Sequence, residues 1–251
     1  MRQTGILPDR EIAALFSSGA LKTGRQLDAD QIQPASLDLR LGDVAYRVRA
    51  SFLPGAHSRV ADKLEHLKLH EIPLGEGAVL ETGCVYIVPL IEELALPEGV
   101  SASANPKSST GRLDIFTRVM ADRAREFDKV PEGYAGPLYI EISPRTFPII
   151  VRTGSRLSQN ELAALHRAET LVAADEPNIT GGGIALSIDL AGRGDGLVGY
   201  RAKHHTGLID VDRKAAHEVL DFWEPIMVRG ARELILDPDE FYILVSREAV
   251  H

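Results

Sequence analysis

The sequence predicts a mostly β protein, and three observations support this fold class. Short runs of apolar and polar residues recur between residues 36 and 151, as in SLDLRLG, AVLETGCVYIVPL and PLYIEIS, and glycine and proline turns separate them. Only two segments of the chain carry a helical pattern. The chain also resembles itself over a long distance. We therefore expect a β-barrel or sandwich with a few short helices, followed by a partial second copy.

The first helix is predicted near the N-terminus, where Pro8 and Asp9 begin it and Gly19 ends it. The apolar residues between these points have helical spacing: Ile12, Leu15 and Phe16. The second helix is predicted over about 159–173, because Ser158 and Glu161 form a capping-box signature ahead of Leu162, Leu165 and Ala168. We expect this second helix to bridge the two halves of the chain.

Two internal matches indicate a tandem duplication. SLDL at 36–39 recurs as SIDL at 187–190, and VLETGCVYIV at 79–88 matches ILDPDEFYIL at 235–244, with Tyr86 opposite Tyr242. Chance similarity between β-rich segments is the alternative. The predicted division is a first domain at 1–157, a helical linker at 158–180 and a partial second copy at 181–251. This shortened copy would lack a counterpart of residues 107–141.

Composition restricts the possible partners and location of the protein. Its 28 basic residues against 36 acidic ones give a net charge of −8, which argues against a surface that binds a nucleic acid polymer. The single cysteine, Cys84, fits a reducing cytoplasm. No apolar run approaches 18 residues, and the N-terminus has no signal-peptide core. We expect a cytoplasmic protein without a membrane span.

Several common catalytic motifs are absent from the sequence. The eight histidines occur in no HxE or HExxH motif, and no CxxC pair accompanies them, so the His204–His205 pair is interpreted as a polar loop rather than a zinc site. There is no Walker loop and no GxSxG elbow. The glycines at 181–183 lack the context of a dinucleotide fingerprint and are interpreted as a turn. We expect no zinc.

The strongest candidate site lies between residues 106 and 141. Lysine, two serines and an arginine occur together in PKSSTGRL, where their donors can converge on phosphate oxygens: Lys107, Ser108, Ser109 and Arg112. About thirty residues later, Glu141 lies in the apolar strand PLYIEIS, on the same face as Tyr139. A carboxylate in such a strand is costly unless it has a use. The alternative is a charged turn and an acid that faces solvent or pairs with an arginine.

Three motifs in the same order resemble the dCTP deaminase family of the dUTPase-like superfamily. They are QPASLDLRLG at 33–42, KSSTGRL at 107–113, and GYAGPLYIEIS at 133–143 with Pro148 and Ile149 after it. The likeness extends over about 6–156, and the repeat is similar to a bacterial subgroup with two fused copies. The resemblance implies a dUTPase-like barrel or jelly roll that deaminates dCTP to dUTP and ammonia without zinc.

The resemblance also implies roles for individual residues. Glu141 would transfer protons, and the backbone of Ala121 would help to hold the attacking water. Ser109 and Arg112 would bind the triphosphate or shape the catalytic pocket, with further nucleotide contacts from Lys107, Ser108, Asp128 and Tyr139. One carboxylate can both accept the proton of the water and return it to the departing ammonia. An arginine nearby, expected to be Arg112, would lower the pKa of Glu141, whereas burial would raise it.

The chain departs from the family pattern at two points. Lys107 stands where the family usually has arginine, which keeps the charge but loses the two-pronged hydrogen bond. The segment 122–133 is longer than the family's turn, so the assignment of Asp128 to the sugar contact stays open. The resemblance further implies a homotrimer with sites at subunit junctions, and Mg²⁺ bound to the substrate phosphates. Its C-terminal closing segment is not identifiable here.

Two other functions are compatible with these residues. A dUTP diphosphatase would share the scaffold, although its usual DYRG-like turn reads EGYAG here, and a bifunctional deaminase and diphosphatase is also open. A nucleotide-binding module without catalysis is the other alternative, favoured by the shortened second copy and by Lys107. Ammonia, pyrophosphate, or binding without either product would distinguish the three.

Overall fold

A computed structural model describes residues 5–164, 172–173, 179–180, 183–184, 186–192, 194–228, 230 and 233–250. The chain divides into two compact units. The first comprises Met1–Arg167 together with Leu208–Lys214, and the second comprises Ala168–Gly207 together with Ala215–His251. Strands predominate in both units, so the prediction of a mostly β protein is confirmed.

Two six-stranded sheets form most of the first unit. Sheet A has the order β11-β9-β14-β4-β3, with β1 also on β14, and its strands are β1 (Gly5–Ile6), β3 (Ile32–Gln33), β4 (Ser36–Arg40), β9 (Ser101–Pro106), β11 (Lys129–Val130) and β14 (Arg156–Ala164). Sheet B has the order β10-β12-β8-β5-β6, with β2 also on β8, and its strands are β2 (Leu21–Thr23), β5 (Val44–Val48), β6 (Lys68–Pro73), β8 (Val85–Ala95), β10 (Ile115–Ala121) and β12 (Ala135–Pro144).

A smaller sheet and three helices complete the first unit. The sheet has the order β19-β13-β7, formed by β7 (Ala78–Leu80), β13 (Ile149–Val151) and β19 (Ile209–Asp210). The helices are α1 (Asp9–Ser17), α2 (Val60–Leu67) and α3 (Ser108–Gly111). Helix α1 confirms the predicted N-terminal helix, and Gly19 adopts the positive φ of 76° that favours glycine after a helix.

The described residues of the second unit form three small sheets and one short helix. The sheets pair β15 (Val172–Ala173) with β22 (Ala249–Val250), β16 (Ile179–Thr180) with β17 (Gly183–Ile184), and β18 (Leu197–Ala202) with both β20 (Trp223–Met227) and β21 (Tyr242–Leu244). The helix is α4 (Val219–Phe222), which leads directly into β20.

The three-stranded sheet of the second unit repeats part of sheet B. Its order β20-β18-β21 matches β6-β5-β8, and in both copies an arginine lies opposite a tyrosine, Arg47 opposite Tyr86 and Arg201 opposite Tyr242. Both tyrosine hydroxyls also accept a hydrogen bond from the backbone amide five residues earlier, at 3.0 Å in the first copy and 3.1 Å in the second. These shared details support the duplication inferred from the sequence.

The predicted helix at 159–173 is wrong over 159–164, because these residues belong to strand β14. This strand pairs antiparallel with β4 on one side and β9 on the other, so its backbone groups are already hydrogen-bonded in a sheet. Ser158 does not cap a helix, since its hydroxyl donates instead to the Asn105 carbonyl at 2.9 Å. Residues 165–171 lie outside the described residues, and 172–173 form β15.

A buried ion pair joins sheets A and B. Arg40 of β4 and Glu92 of β8 are almost fully buried, and Arg40 Nε donates to Glu92 Oε1 at 2.8 Å. The buried Gln31 side chain donates to the same oxygen at 2.8 Å. Both carboxylate oxygens are satisfied, because Oε2 accepts from the Arg40 amide at 2.8 Å. A buried charge is tolerated when it is paired in this way.

The segment Leu208–Lys214 is held in the first unit by charge and by strand pairing. Strand β19 runs parallel to β13. The Arg152 guanidinium donates to the two carboxylate oxygens of Asp210 at 2.7 and 2.8 Å. These hydrogen bonds lower the pKa of Asp210 below its ordinary value.

Candidate functional site

Strand β12 places Glu141 in the interior of sheet B. Glu141 lies directly opposite Arg118 of β10 and opposite Ile87 of β8, so strands cover both of its sides. Its side chain is 2% exposed. Oε1 accepts hydrogen bonds from Arg118 Nη2 at 2.6 Å and from Nε at 3.2 Å. Oε2 is buried and has no hydrogen-bond partner among the residues that the structure describes.

Three other side chains hold Arg118 in place. Its Nη2 also donates to Ser51 Oγ at 2.8 Å. The guanidinium carbon lies 3.7 Å from the centre of the Phe127 ring and 4.8 Å from that of Phe116. A cation above aromatic faces is attracted by their negative electrostatic potential. The arginine that contacts Glu141 within the chain is therefore Arg118, and the expectation that Arg112 lies near Glu141 stays a prediction.

Asp128 lies close to this ion pair, in a turn just before β11. Its carboxylate accepts the Val119 amide at 2.7 Å, and its φ of 61° is one that aspartate tolerates better than most residues. Burial raises the pKa of Asp128, and the Val119 hydrogen bond and the Arg118 charge counteract this only in part. The nearby Glu141 charge also raises it. Asp128 thus lies within electrostatic range of Glu141, whereas its sugar contact stays a prediction.

The other two predicted residues of this region contribute in different ways. Ala121 is the last residue of β10 and is buried, and its carbonyl accepts the Ala124 amide at 3.3 Å. Tyr139 packs in the hydrophobic core with Val60 and Leu64 of α2. Burial raises the pKa of the Tyr139 hydroxyl. Its predicted nucleotide contact stays a prediction.

The predicted phosphate residues follow β9 in sheet A. Lys107 comes just before α3, and its ammonium group pairs with the buried carboxylate of Asp38 on β4. Arg156 of β14 lies 3.5 Å from the same Asp38 oxygen and donates to Asp30 at 2.9 Å. The other oxygen of Asp38 is buried without a partner in the described part of the chain. Asp38 therefore positions two cations side by side.

Helix α3 and the residue that follows it carry the remaining predicted phosphate residues. Ser108, Ser109 and Arg112 are exposed, and no hydrogen bond of their side chains is found within the described residues. The turn between them is anchored by Thr110, whose buried hydroxyl donates to the Leu157 carbonyl at 2.8 Å. The donors are thus presented to solvent on a fixed backbone. In the described structure no hydrogen bond or ion pair joins this group to Glu141.

The sequence alone did not identify Arg118, Phe127 or Ser51 as site residues. They come from three separate segments, and none lies in a recognisable motif. A signal for Arg118 was nevertheless present, because β10 and β12 are separated in the chain only by the two-residue strand β11. Counting the register outward from their connection would have placed Arg118 opposite Glu141. The longer connection containing Phe127 obscured that register.

In the described ranges, no group of three or more histidine, cysteine, aspartate or glutamate side chains is placed to hold a metal ion. The carboxylate of Asp38 pairs with Lys107. No helix among the described residues is long and apolar enough to cross a membrane.

Comparisons with known proteins agree with the fold. A family model described as the 2'-deoxycytidine 5'-triphosphate deaminase (DCD) N-terminal domain matches residues 3–166, and the DCD C-terminal domain model matches residues 158–251. The crystal structure of 2'-deoxycytidine 5'-triphosphate deaminase from Agrobacterium tumefaciens is 67% identical, with a TM-score of 0.92. The match covers 100% of this chain and 78% of the Agrobacterium tumefaciens chain.

Curated relatives are more distant. A dCTP deaminase of Halorubrum lacusprofundi is 31% identical over 157 residues, which are 61% of this chain and 74% of that protein. A dUMP-forming dCTP deaminase of a Parafrankia species is 32% identical over 158 residues, 61% of this chain and 73% of that protein.

The mostly β architecture and the similarity to the Agrobacterium tumefaciens deaminase structure place the chain among proteins with a dUTPase-like fold. Within that class, the chain belongs to the 2'-deoxycytidine 5'-triphosphate deaminase family, a family of deaminases. The family suggested by the three sequence motifs is confirmed.

Proposed function

We propose that this chain hydrolyses dCTP to dUTP and ammonia and thereby contributes to deoxypyrimidine supply. The observation that carries the proposal is the state of Glu141, a buried carboxylate with one oxygen bound to arginine and the other without a partner among the described residues. A buried acceptor without a donor is costly, and such groups cluster at functional sites. The membership of the chain in the deaminase family supports the assignment.

The proposed reaction uses Glu141 for both proton transfers. A water molecule attacks C4 of cytosine while Glu141 accepts one of its protons. The same proton then passes to the 4-amino nitrogen, the C4–N bond breaks and ammonia leaves. The second proton of the water moves from the C4 hydroxyl to N3 of the ring as the C4 carbonyl forms. The carbonyl of Ala121 is proposed to help to hold the water, since an oxygen that accepts one amide hydrogen bond has capacity for a second.

The triphosphate is proposed to bind Lys107, Ser108, Ser109 and Arg112. The exposed hydroxyls and guanidinium of α3 are available donors, and Asp38 holds the lysine beside them. The nucleotide contacts of Asp128 and Tyr139 belong to the same proposal. Mg²⁺ would accompany the phosphates as a counter-ion, with its ligands mainly from the substrate and water. We propose no zinc.

The assembly is proposed to be a cytoplasmic homotrimer. Lys107 follows a strand of sheet A and Glu141 lies in sheet B, and no described hydrogen bond joins their surroundings. A site completed by a second subunit would bring phosphate donors of one chain to the glutamate of another. The free thiol of Cys84 is compatible with a reducing compartment.

The test is to measure ammonia, nucleotide product and pyrophosphate from dCTP with Mg²⁺. We expect Glu141→Gln to lower kcat by about 10²- to 10⁴-fold, because the amide cannot accept the proton, while nucleotide binding is retained. Glu93→Gln is the control, since Glu93 is an exposed glutamate in the same sheet. Full activity in Glu141→Gln would contradict the proposal.

The product distinguishes the alternatives. Because a relative is named a dUMP-forming deaminase, dUMP and pyrophosphate in place of dUTP would identify a bifunctional enzyme. Pyrophosphate from dUTP without any ammonia from dCTP would identify a diphosphatase. Saturable nucleotide binding with no product would identify a binding module. Chelation of zinc should leave the rate unchanged, whereas removal of Mg²⁺ should lower it.

A further inference from the structure

We propose that Arg118 is a positioning residue that makes the two oxygens of Glu141 unequal, so that proton transfer takes place at Oε2. This inference rests on the proposed deamination. It assigns a role to a residue outside the three motifs and identifies the reacting atom of the glutamate.

The first step is the asymmetry of the carboxylate. Arg118 directs two of its nitrogens, Nε and Nη2, to the single oxygen Oε1. A guanidinium and a carboxylate commonly form two parallel hydrogen bonds that occupy both oxygens. Here Oε2 stays buried and unpartnered within the described structure. A water molecule or an amino group of a substrate would satisfy it.

The second step is the fixed orientation of Arg118. The Ser51 hydroxyl accepts a hydrogen bond from Arg118 Nη2, and the rings of Phe127 and Phe116 lie against the guanidinium. Ser51 lies between β5 and α2, Phe127 lies just before β11, and Phe116 lies in β10. Reorientation of the guanidinium towards Oε2 would disrupt these contacts. Oε1 therefore stays occupied and Oε2 stays available.

The third step is chemical. Arginine stays protonated in proteins, so Arg118 cannot supply or accept the transferred proton. A proton leaves the attacking water, binds Oε2 and then moves to the amino nitrogen as its bond to C4 breaks. Among the described residues, the charged groups near Glu141 are Arg118 of β10 and Asp128 in the turn before β11. Arg118 holds Glu141 in one orientation through both transfers.

The test compares Arg118→Met and Arg118→Lys with the unchanged chain. We expect Arg118→Met to lower kcat roughly 100-fold, because a misplaced catalytic group costs about that factor, with KM changed by less than about threefold. Arg118→Lys should recover part of the loss, since it restores the charge but not both donors. Ser51→Ala should lower kcat by a smaller factor.

The matched control is Arg201→Met. Arg201 of β18 lies opposite Glu224 on the neighbouring strand β20. Its Nε and Nη2 also donate to one carboxylate oxygen, at 3.2 and 2.5 Å. Both side chains are more exposed than those of the Arg118 pair. Loss of this second pair should leave kcat unchanged.

A chemical rescue separates positioning from folding. Methylguanidinium, added at a non-denaturing concentration, should restore part of the kcat of Arg118→Ala, which a protein that failed to fold would not show. Unchanged kcat in Arg118→Met and Ser51→Ala, in a chain that deaminates dCTP, would overturn this inference alone. Absence of ammonia from both the unchanged chain and Arg201→Met would overturn the proposed function and this inference with it.

Discussion

At the scale of single residues, the environment of Asp128 makes stability depend on pH. Burial raises the pKa of its carboxyl above the ordinary 3.8, so the folded chain binds this proton more tightly than the unfolded chain. The contribution of Asp128 to stability is thus most favourable below 3.8 and is lost as pH rises through the folded-state pKa. At neutral pH the buried, charged carboxylate lowers the free energy of unfolding.

Asp128→Asn should therefore increase the free energy of unfolding at neutral pH. The amide oxygen of asparagine can still accept the Val119 hydrogen bond, while the charge is removed. Urea unfolding over a range of pH should show that the difference in free energy of unfolding between the variant and the wild type becomes smaller as pH falls. Asp239→Asn is the control, because Asp239 is exposed and has a similar φ of 63°. A less stable Asp128→Asn would mean that its attraction to Arg118 dominates.

At the scale of secondary-structure elements, a few side chains hold the two large sheets of the first unit together. Strand β4 contributes Arg40 and β8 contributes Glu92, and both are nearly inaccessible to water. The buried Gln31 reinforces the pair. Strand β4 also contributes Asp38, which holds Lys107. One short strand thus connects the sheet packing to the proposed phosphate site.

Glu92→Ala should destabilise the fold by about 3–5 kcal/mol, because it leaves the buried Arg40 charge without its partner. The measurement is urea unfolding followed by circular dichroism. Arg25→Ala is the comparison, since it removes an exposed ion pair with Asp43 and should cost only about 0–1 kcal/mol. Equal losses in the two variants would show that burial of the Arg40–Glu92 pair has no special importance.

At the scale of the whole molecule, we propose that a second chain completes the site. A homotrimer would have three times the mass of the 27.3 kDa chain, which light scattering can measure. If the sites lie at subunit junctions, mixed trimers of Glu141→Gln and Arg112→Ala should regain deaminase activity that neither variant has alone. A monomeric mass, or mixtures that stay inactive, would contradict the shared site.

Much of this molecule was predictable from its sequence. The alternation of apolar and polar residues, with glycine and proline at the turns, predicted the mostly β fold, because strand periodicity and turn chemistry are local properties. The motifs around Lys107 and Glu141 predicted the family. The two copies were also visible, and the shared tyrosine hydrogen bonds of Tyr86 and Tyr242 support them.

Only the tertiary structure decided the remaining features. The segment that begins at Arg156 resembles a helix start locally, yet it is a strand because β4 and β9 both offer it hydrogen bonds. The pairing of Glu141 with Arg118, and of Lys107 with Asp38, depends on strand register and on contacts between residues far apart in the chain. The sequence thus determined which chemical groups are present. Long-range pairing decided which of them meet, because contacts between distant segments depend on the whole fold.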